Sequence, residues 1–228
     1  MESLPYVNAK YFLCLNNDSI FLNDCLTHLS QHLDCHPEVG LATAQNFDEH
    51  GRFSPSFHHY KTFWKLLLGK KTLEKINPVK FPERKKEYTQ AIKITSPNGA
   101  FLFFRASTFA EIGGFDTNLF LYSEEMDFAK KLEKTAFEAA LVPQARFQHF
   151  QGKSSKASTA ISREAMLSEL YVIKKHYSFF HYKAVQLYYI LTLPFKPRKW
   201  FLFPVIIKGV SLKYSLKQKQ YIRFLKDN

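Results

Sequence analysis

Short apolar runs alternate with helical patterns in the first part of the chain. Tyr11–Leu15 is a continuous apolar run, which predicts a strand buried on both faces, and it ends in polar residues where an open α/β sheet places its ligands. Residues 23–33 carry a helical pattern that stops before Pro37, and residues 39–44 are typical of the next strand. The pattern therefore predicts an α/β fold that starts with a strand, a helix and a strand.

The middle of the chain combines an irregular stretch with a second ordered region. Residues 51–95 are rich in Lys, Pro and aromatic side chains, which predicts an insertion or a mobile flap with an amphipathic helix around residues 63–68. Residues 101–104 predict a strand and residues 107–112 a short helix, which the pair Gly113-Gly114 ends. Regular structure is therefore expected to return directly after the insertion.

Two longer helices are predicted in the second half. The first begins with Ser123 as its N-cap and buries Phe128 and Leu132, which lie four residues apart on one face. The second covers about residues 161–177 and ends in basic side chains. The run that closes at His149 lies between them and indicates a strand.

The charge of the chain is distributed unevenly. Residues 1–149 contain 17 Lys/Arg and 17 Asp/Glu, whereas residues 150–228 contain 15 Lys/Arg and 3 Asp/Glu, so the last part carries the whole net charge of +12. Its apolar patches are shorter than the roughly 20 residues that span a bilayer. A tail held on an anionic membrane surface is predicted, where each Lys or Arg contributes about 1 kcal/mol and Trp200, Phe201 and Phe203 can enter the interface.

The hydrophobic content of 46% predicts a folded protein. Cys14, Cys25 and Cys35 form neither an even set nor a C-x-x-C pair, which indicates reduced thiols that act as small apolar side chains. Residues 1–5 lack the basic start and the apolar stretch of a signal peptide. We therefore expect a cytoplasmic protein that is peripheral on the inner face of the cell membrane.

Three groups of polar residues could carry chemistry. Glu124, Glu125 and Asp127 lie at the predicted helix start, Asp18 follows the first strand, and His149 closes a later one. Each group has a plain structural alternative. Acidic side chains at a helix start are stabilised by the helix dipole, a polar turn commonly follows a strand, and a histidine at a strand end can simply have its hydrogen bonds satisfied. Together, however, these residues are the parts of a metal-assisted group-transfer site.

The combination is more specific than its members. It consists of Leu15-Asn-Asn-Asp18, Asn98-Gly-Ala100, Phe109 with Gly113-Gly-Phe-Asp116, Phe120-Leu-Tyr-Ser-Glu-Glu-Met-Asp127, Val142-Pro143 and His149-Phe-Gln-Gly-Lys-Ser-Ser155. In order and spacing these segments resemble glycosyltransferase family 2, particularly its rhamnosyltransferase-like branch. The resemblance covers about residues 8–177.

The resemblance implies a GT-A fold and an inverting transfer from a nucleotide-activated sugar. The expected architecture is a partial, mixed α/β sheet flanked by helices, with a basic helical tail. Asp18 would belong to the Asp-x-Asp-type motif that holds a divalent cation on the donor diphosphate. Asn16 stands at the first acidic position of that motif, and His149 matches a histidine that can complete the metal shell. Oxygen ligands and a diphosphate suit Mg²⁺ or Mn²⁺.

The resemblance also implies roles for the carboxylates. Glu124 and Glu125 match the paired acids from which the family draws its general base, which takes the proton of the acceptor hydroxyl. The family usually has Glu-Asp where this chain has Glu-Glu, so either acid could be the base. Asp127 is expected to orient the loop or to bind acceptor hydroxyls.

Substrate-binding roles are implied for two further segments. Asn16 and Asn17 lie in the turn that carries the metal-binding aspartate. Asn98, Gly99 and Ala100 resemble the family's sugar-binding loop, where small side chains let a sugar approach the backbone.

The beginning of the family's fold is expected to be absent. Strand–helix units that bind the base and ribose precede the Asp-x-Asp strand, and this chain has only about ten residues there, so roughly 60 or more residues would be missing. We therefore predict an amino-terminally truncated glycosyltransferase domain over residues 1–155 and a basic, membrane-associating helical tail over residues 156–228.

The resulting hypothesis is a glycosyltransferase of surface polysaccharide biosynthesis. Its donor would be a dTDP-rhamnose-like or UDP-sugar and its acceptor a saccharide or lipid-linked saccharide. One rival is a non-catalytic remnant that binds membranes or partner enzymes. Another is a nucleic-acid-binding protein, suggested by the basic tail with its aromatic residues. A neutral body with clustered acids argues against that rival, so no nucleic acid is expected.

Overall fold

The structure is a computed structural model and describes residues 8–150 and 158–218. The strands are β1 (Tyr11–Leu15), β2 (Ser19–Phe21), β3 (Val39–Phe47), β4 (Phe53–Ser54), β5 (Phe57–His58), β6 (Ile92–Ile94), β7 (Ser96–Pro97), β8 (Phe101–Arg105) and β9 (Glu138–His149). The helices are α1 (Cys25–Cys35), α2 (Phe63–Leu68), α3 (Lys70–Ile76), α4 (Ala106–Glu111), α5 (Glu124–Leu132), α6 (Thr159–His176), α7 (Phe179–Thr192) and α8 (Phe203–Lys208).

The chain divides into two compact units. The sheet unit comprises Met1–Tyr60, Lys71–Phe115 and Phe128–Ser155. The helical unit comprises Lys61–Lys70, Asp116–Asp127 and Lys156–Asn228. The helical unit therefore draws on two short internal segments as well as on the carboxyl-terminal part of the chain.

A mixed sheet forms the centre of the sheet unit. Within the described residues its strand order is β1-β8-β3-β9-β2, with β4 added to β3 and β6 added to β9. Strands β3 and β9 are parallel, whereas the other pairs are antiparallel. Every residue of β3 is buried, as expected of a strand in the middle of a sheet covered on both faces. The predicted mixed α/β sheet flanked by helices is confirmed.

Strand β1 has the predicted bounds but a different place. Among the described strands β1 lies at an edge of the sheet, and its residues are only half-buried or exposed, so the predicted full burial is wrong. Its run is nevertheless apolar throughout because both faces are covered. Tyr11 and Leu13 pack against one core cluster, and Phe12 and Cys14 pack against the other. A continuous apolar run therefore indicates a strand that is covered on both faces, and such a strand can still lie at an edge of the sheet.

Most other elements lie where the pattern predicts them. Helix α1 begins two residues later than predicted, and the Asp24 carboxylate caps it by accepting from the Thr27 amide at 3.2 Å. The helix expected within residues 51–95 is α2, and the same stretch also contains α3 and short strands. The short strand β2 was missed because its three residues show no alternation of their own.

Helix α5 begins at Glu124 and buries the two predicted apolar residues. Phe128 is 0% exposed and Leu132 is 1% exposed. The Phe128 ring stacks on Phe109 at 5.3 Å and meets Phe104 edge-on at 4.8 Å between centroids. This aromatic packing anchors the second half of the helix in the sheet unit.

In the helical unit, α6, α7 and α8 pack around their own apolar cluster, which includes Leu170, Ile173, Val185 and Ile206. The helix predicted over residues 161–177 is α6. None of the helices that the structure describes is both long enough and apolar enough to cross a membrane.

Candidate functional site

Asp18 and His149 meet at the end of the central sheet. Antiparallel pairing of β2 with β9 sets Ser19 opposite His149, and the Phe150 amide donates to the Asp18 carbonyl at 3.0 Å. The Asp18 Oδ1 atom consequently lies 3.1 Å from the Nε2 atom of His149. Their side chains are only 17% and 11% exposed. Strand register therefore brings together two side chains that are far apart in the sequence.

Asn16 completes this cluster. Its Nδ2 atom lies 3.3 Å from His149 Nε2, the same ring nitrogen that faces Asp18. One imidazole nitrogen cannot accept a hydrogen bond from the Asn16 amide and donate one to the Asp18 carboxylate at the same time. The oxygen and nitrogen of a side-chain amide have nearly the same shape, so the Asn16 amide can equally be placed with its oxygen facing the ring. With the amide turned over, a carboxylate oxygen and an amide oxygen both lie within 3.3 Å of the same imidazole nitrogen.

The predicted sugar-binding loop lies against the same turn. The Asn16 amide donates to the Ala100 carbonyl at 3.0 Å, and the Ala100 amide donates to the Asn98 side-chain oxygen at 3.3 Å. Gly99 lies between these two residues and is half-buried, whereas Asn17 is exposed. The backbone thus holds the loop beside the Asn16–Asp18–His149 cluster.

The acids Glu124 and Glu125 begin helix α5 and belong to the helical unit. Both are half-buried. Burial and, after it, the neighbouring Glu124 charge raise the pKa of Glu125 to about 7, although a backbone hydrogen bond and the Lys61 charge act in the opposite direction. Burial also raises the pKa of Glu124, whose Oε2 atom has no hydrogen-bond partner among the described residues. The pair is therefore held in surroundings that favour a protonated carboxyl.

Asp127 has a different environment from the two glutamates. It is 0% exposed, and its Oδ1 atom lies 2.7 Å from both the Lys175 Nζ and the His176 Nε2 atoms at the end of α6. Sequence analysis missed both partners, because a basic pair in a last helical turn is ordinarily explained by the helix dipole. Lys130 and Lys131 lie three and four residues after Asp127 on the same helix face, so no local signal indicated its burial.

The structure groups the predicted site residues in two places. Asn16, Asp18, His149 and the loop over residues 98–100 lie together in the sheet unit. Glu124, Glu125 and Asp127 are neighbours at the start of α5 in the helical unit. The convergence of both groups on one cleft stays a prediction.

The Asn16–Asp18–His149 cluster fits a divalent cation in its donor chemistry. Within residues 8–150 and 158–218 no group of three or more His, Cys, Asp or Glu side chains could hold a metal ion. Here a carboxylate, an imidazole and an amide would be the protein's donors. A mixed oxygen and imidazole set suits Mn²⁺ at least as well as Mg²⁺.

Comparison with solved structures identifies the fold. The chain is similar to the crystal structure of GalNAc-T7 with UDP, GalNAc and Mn²⁺, with a TM-score of 0.51 and 14% identity over 96% of this chain and 42% of that one. At this identity the likeness concerns the fold alone, and it confirms the predicted GT-A-like architecture.

Comparison of the sequences points to the same family. Over 75 residues the chain is 31% identical to the N-acetylglucosaminyl-diphospho-decaprenol L-rhamnosyltransferases of two Mycobacterium tuberculosis strains, CDC 1551 / Oshkosh and ATCC 25618 / H37Rv. This match covers 33% of the chain and 24% of each relative's length. The family model described as Glycosyl transferase family group 2 matches residues 11–208, which is most of the chain. The strand, turn and helix that carry the candidate site all lie inside that match, and the chain therefore belongs to glycosyltransferase family 2.

Proposed function

We propose that this chain transfers a sugar, with inversion, from a nucleotide-sugar donor to a saccharide acceptor. The observation that carries the proposal is the convergence of Asn16, Asp18 and His149 beside the loop over residues 98–100, in a chain of family 2. The name of the mycobacterial relatives supports a dTDP-rhamnose-like donor over a UDP-sugar donor, and a lipid-linked saccharide as acceptor. Such an acceptor would place the reaction in surface polysaccharide biosynthesis.

Donor binding is assigned to the sheet unit. Asp18 and His149 would hold Mn²⁺ or Mg²⁺, and Asn16 would complete the protein's share of the shell through its amide oxygen. A bound cation would offset the negative charge that builds on the leaving diphosphate. Asn98, Gly99 and Ala100 would contact the sugars through their backbone, and exposed Asn17 would face the donor.

Proton removal is assigned to the acid pair of α5. The acceptor oxygen forms a bond to the anomeric carbon while the bond from that carbon to the diphosphate oxygen breaks, and Glu125 takes the hydroxyl proton. A general base works best when its pKa is near the operating pH, and the pKa of Glu125 is raised to about 7. Glu124 contributes to that value through charge repulsion. A single displacement, with attack on the face of the sugar opposite to the leaving diphosphate, gives the inverted product.

The direct test of the proposal uses the purified chain. It is incubated with Mn²⁺, a lipid-linked saccharide and either dTDP-rhamnose or a UDP-sugar, and the lipid product and nucleoside diphosphate are measured. We expect both products to form in equal amounts with one donor. Donor binding without transfer would favour the non-catalytic remnant.

Membrane association is proposed for the helical unit. The exposed residues of α7 and the segment after it combine large apolar and basic side chains, namely Phe180, Lys183, Leu187, Leu191, Phe195, Lys196, Arg198, Lys199 and Trp200. Phe180 is 82% and Phe195 86% exposed, which is unusual for such large apolar residues. Aromatic rings beside lysines match the headgroup region of an anionic bilayer. A lipid-linked acceptor would be presented at that surface.

We expect the full chain to bind anionic vesicles and to be released as salt is raised, because the Debye length falls to about 3 Å at 1 M. The double variant Lys196→Gln/Lys199→Gln should bind roughly 30-fold more weakly, since each charge contributes about 1 kcal/mol. Sedimentation with vesicles measures both effects.

Val79→Ala provides the control for the vesicle experiment, because Val79 is 91% exposed but lies in the sheet unit. It should bind like the wild type. Equal binding of the wild type to neutral vesicles would contradict the electrostatic part of the proposal. Salt-sensitive binding to RNA or DNA without vesicle binding would favour the nucleic-acid rival.

A further inference from the structure

One face of helix α6 holds the segment that precedes the acid pair. Ser168, Tyr171, Lys175 and His176 have the spacing i, i+3, i+7 and i+8, which places them on one side of a helix. Each of them contacts the segment over residues 116–127, and all these residues belong to the helical unit. We call this set of contacts the α6 clamp.

Lys175 connects the two ends of the segment. Its Nζ atom lies 2.7 Å from Asp116 Oδ2 and 2.7 Å from Asp127 Oδ1, and these aspartates are the first and last residues of the segment. Burial lowers the pKa of Lys175, but its hydrogen bonds to Asp116 and Asp127 outweigh that effect and raise the pKa above its usual value. A single charged side chain thus closes the segment into a loop.

The other members of the clamp fix points along the loop. The Tyr171 hydroxyl donates to Asp116 Oδ2 at 2.8 Å, and the Ser168 hydroxyl donates to the Leu121 carbonyl at 2.8 Å. His176 donates from Nε2 to Asp127, because a carboxylate oxygen can only accept. Both aspartates are consequently occupied by α6, and Asp127 is fully buried.

The backbone between these anchors is strained. Tyr122 and Ser123 both have φ of 67°, in the left-handed region that residues other than glycine rarely occupy. Such a conformation persists only where the surrounding structure holds it. The two strained residues directly precede Glu124, so they determine where the acid pair is presented.

We propose that Lys175, His176 and Asp127 are positioning residues for sugar transfer, and that Asp127 anchors the loop instead of binding the acceptor. The inference rests on the proposed role of Glu124 and Glu125. The clamp holds the strained turn, and the turn sets the position of the general base relative to the acceptor hydroxyl. Misplacement of a reacting group by about 1 Å can lower the rate by about 100-fold.

The test measures kinetics and hydrogen exchange of the full chain with Lys175→Met and with His176→Gln. We expect kcat to fall by about 10- to 100-fold with donor KM changed by less than about threefold, because orientation and not binding is lost. Amide exchange of residues 116–127 should become faster, while exchange in the sheet unit stays at the wild-type rate.

Two control variants distinguish positioning from a general loss of stability. Lys174→Met removes the same charge at an exposed neighbour and should behave like the wild type. Ile173→Val weakens the buried face of α6 and should lower the melting temperature without lowering kcat. An equal fall of kcat in Ile173→Val at a matched loss of stability would overturn the inference.

The exchange measurement separates this inference from the proposed function. If the wild type transfers no sugar, the proposed function fails. Independently of that result, exchange of residues 116–127 that is as slow in Lys175→Met as in the wild type would overturn the clamp. Faster exchange in Lys175→Met with unaltered kcat would show a clamp that does not position the base, and would also overturn the inference.

Discussion

Glu125→Gln is expected to lower kcat by about 10²–10⁴-fold, because glutamine keeps the shape of the side chain but cannot take the proton of the acceptor hydroxyl. Steady-state transfer assays at saturating donor measure this effect. Burial raises the folded-state pKa of Glu125 from 4.5 to about 7, so its ionisation lowers the stability as the pH rises between these values, and the full loss is present at pH 8. The melting temperature of Glu125→Gln at pH 8 should therefore equal or exceed that of the wild type.

The pH profile identifies which glutamate is the base. The rate of the wild type should rise with pH and level off above an apparent pKa near 7, because the carboxylate form is required. Glu124→Gln removes a neighbouring negative charge that contributes to this pKa, so the midpoint should move to lower pH while activity persists. Loss of activity in Glu124→Gln with retention in Glu125→Gln would reverse the assignment. Near-normal rates in both variants would leave only a helix-dipole role for the pair.

Asp18→Ala is the second large effect that we expect, with kcat/KM lower by about 100-fold or more, because a metal ion contributes several kcal/mol of charge stabilisation to such a transfer. Transfer assays over a series of Mn²⁺ concentrations measure it. The Mn²⁺ concentration needed for half-maximal rate should also rise, since Asp18 and His149 would share the ion.

Asp34→Ala is the matched control for the metal prediction. Asp34 also lies in the sheet unit, its side chain is 46% exposed, and it pairs with Lys10 away from the cluster. Its removal should leave the Mn²⁺ dependence unaltered. Full activity of Asp18→Ala, or of the wild type in excess chelator, would remove the metal role.

The local pattern of the sequence was sufficient to predict most elements. The apolar run at β1, the paired Phe128 and Leu132 of α5 and the long helix α6 all form at the expected positions. Hydrophobic periodicity and capping residues act over a few neighbouring positions, so they can be recognised without knowledge of the fold. The family resemblance added the candidate residues and the fold class, which periodicity alone does not supply.

Long-range contacts were beyond that kind of reasoning. The edge position of β1 and the contact of Asp18 with His149 depend on strand order and register, which are set by packing across the whole sheet. The α6 clamp likewise depends on a helix that begins more than thirty residues after the acid pair. Basic residues such as Lys175 and His176 at the end of a helix are also favoured by the helix dipole, so their presence did not indicate that they contact Asp127.

Most strands and helices, and the side chains that carry acid, amide and imidazole groups, can thus be recognised from the sequence, because these properties are local. Which of these side chains meet depends on the tertiary fold. The register of β2 with β9 brings Asp18 to His149, the hydrogen bond from the Asn16 amide to Ala100 holds Asn16 beside them, and Lys175 and His176 withdraw Asp127 from solvent. These contacts depend on burial and on charge pairing between distant segments, which a local sequence pattern does not predict.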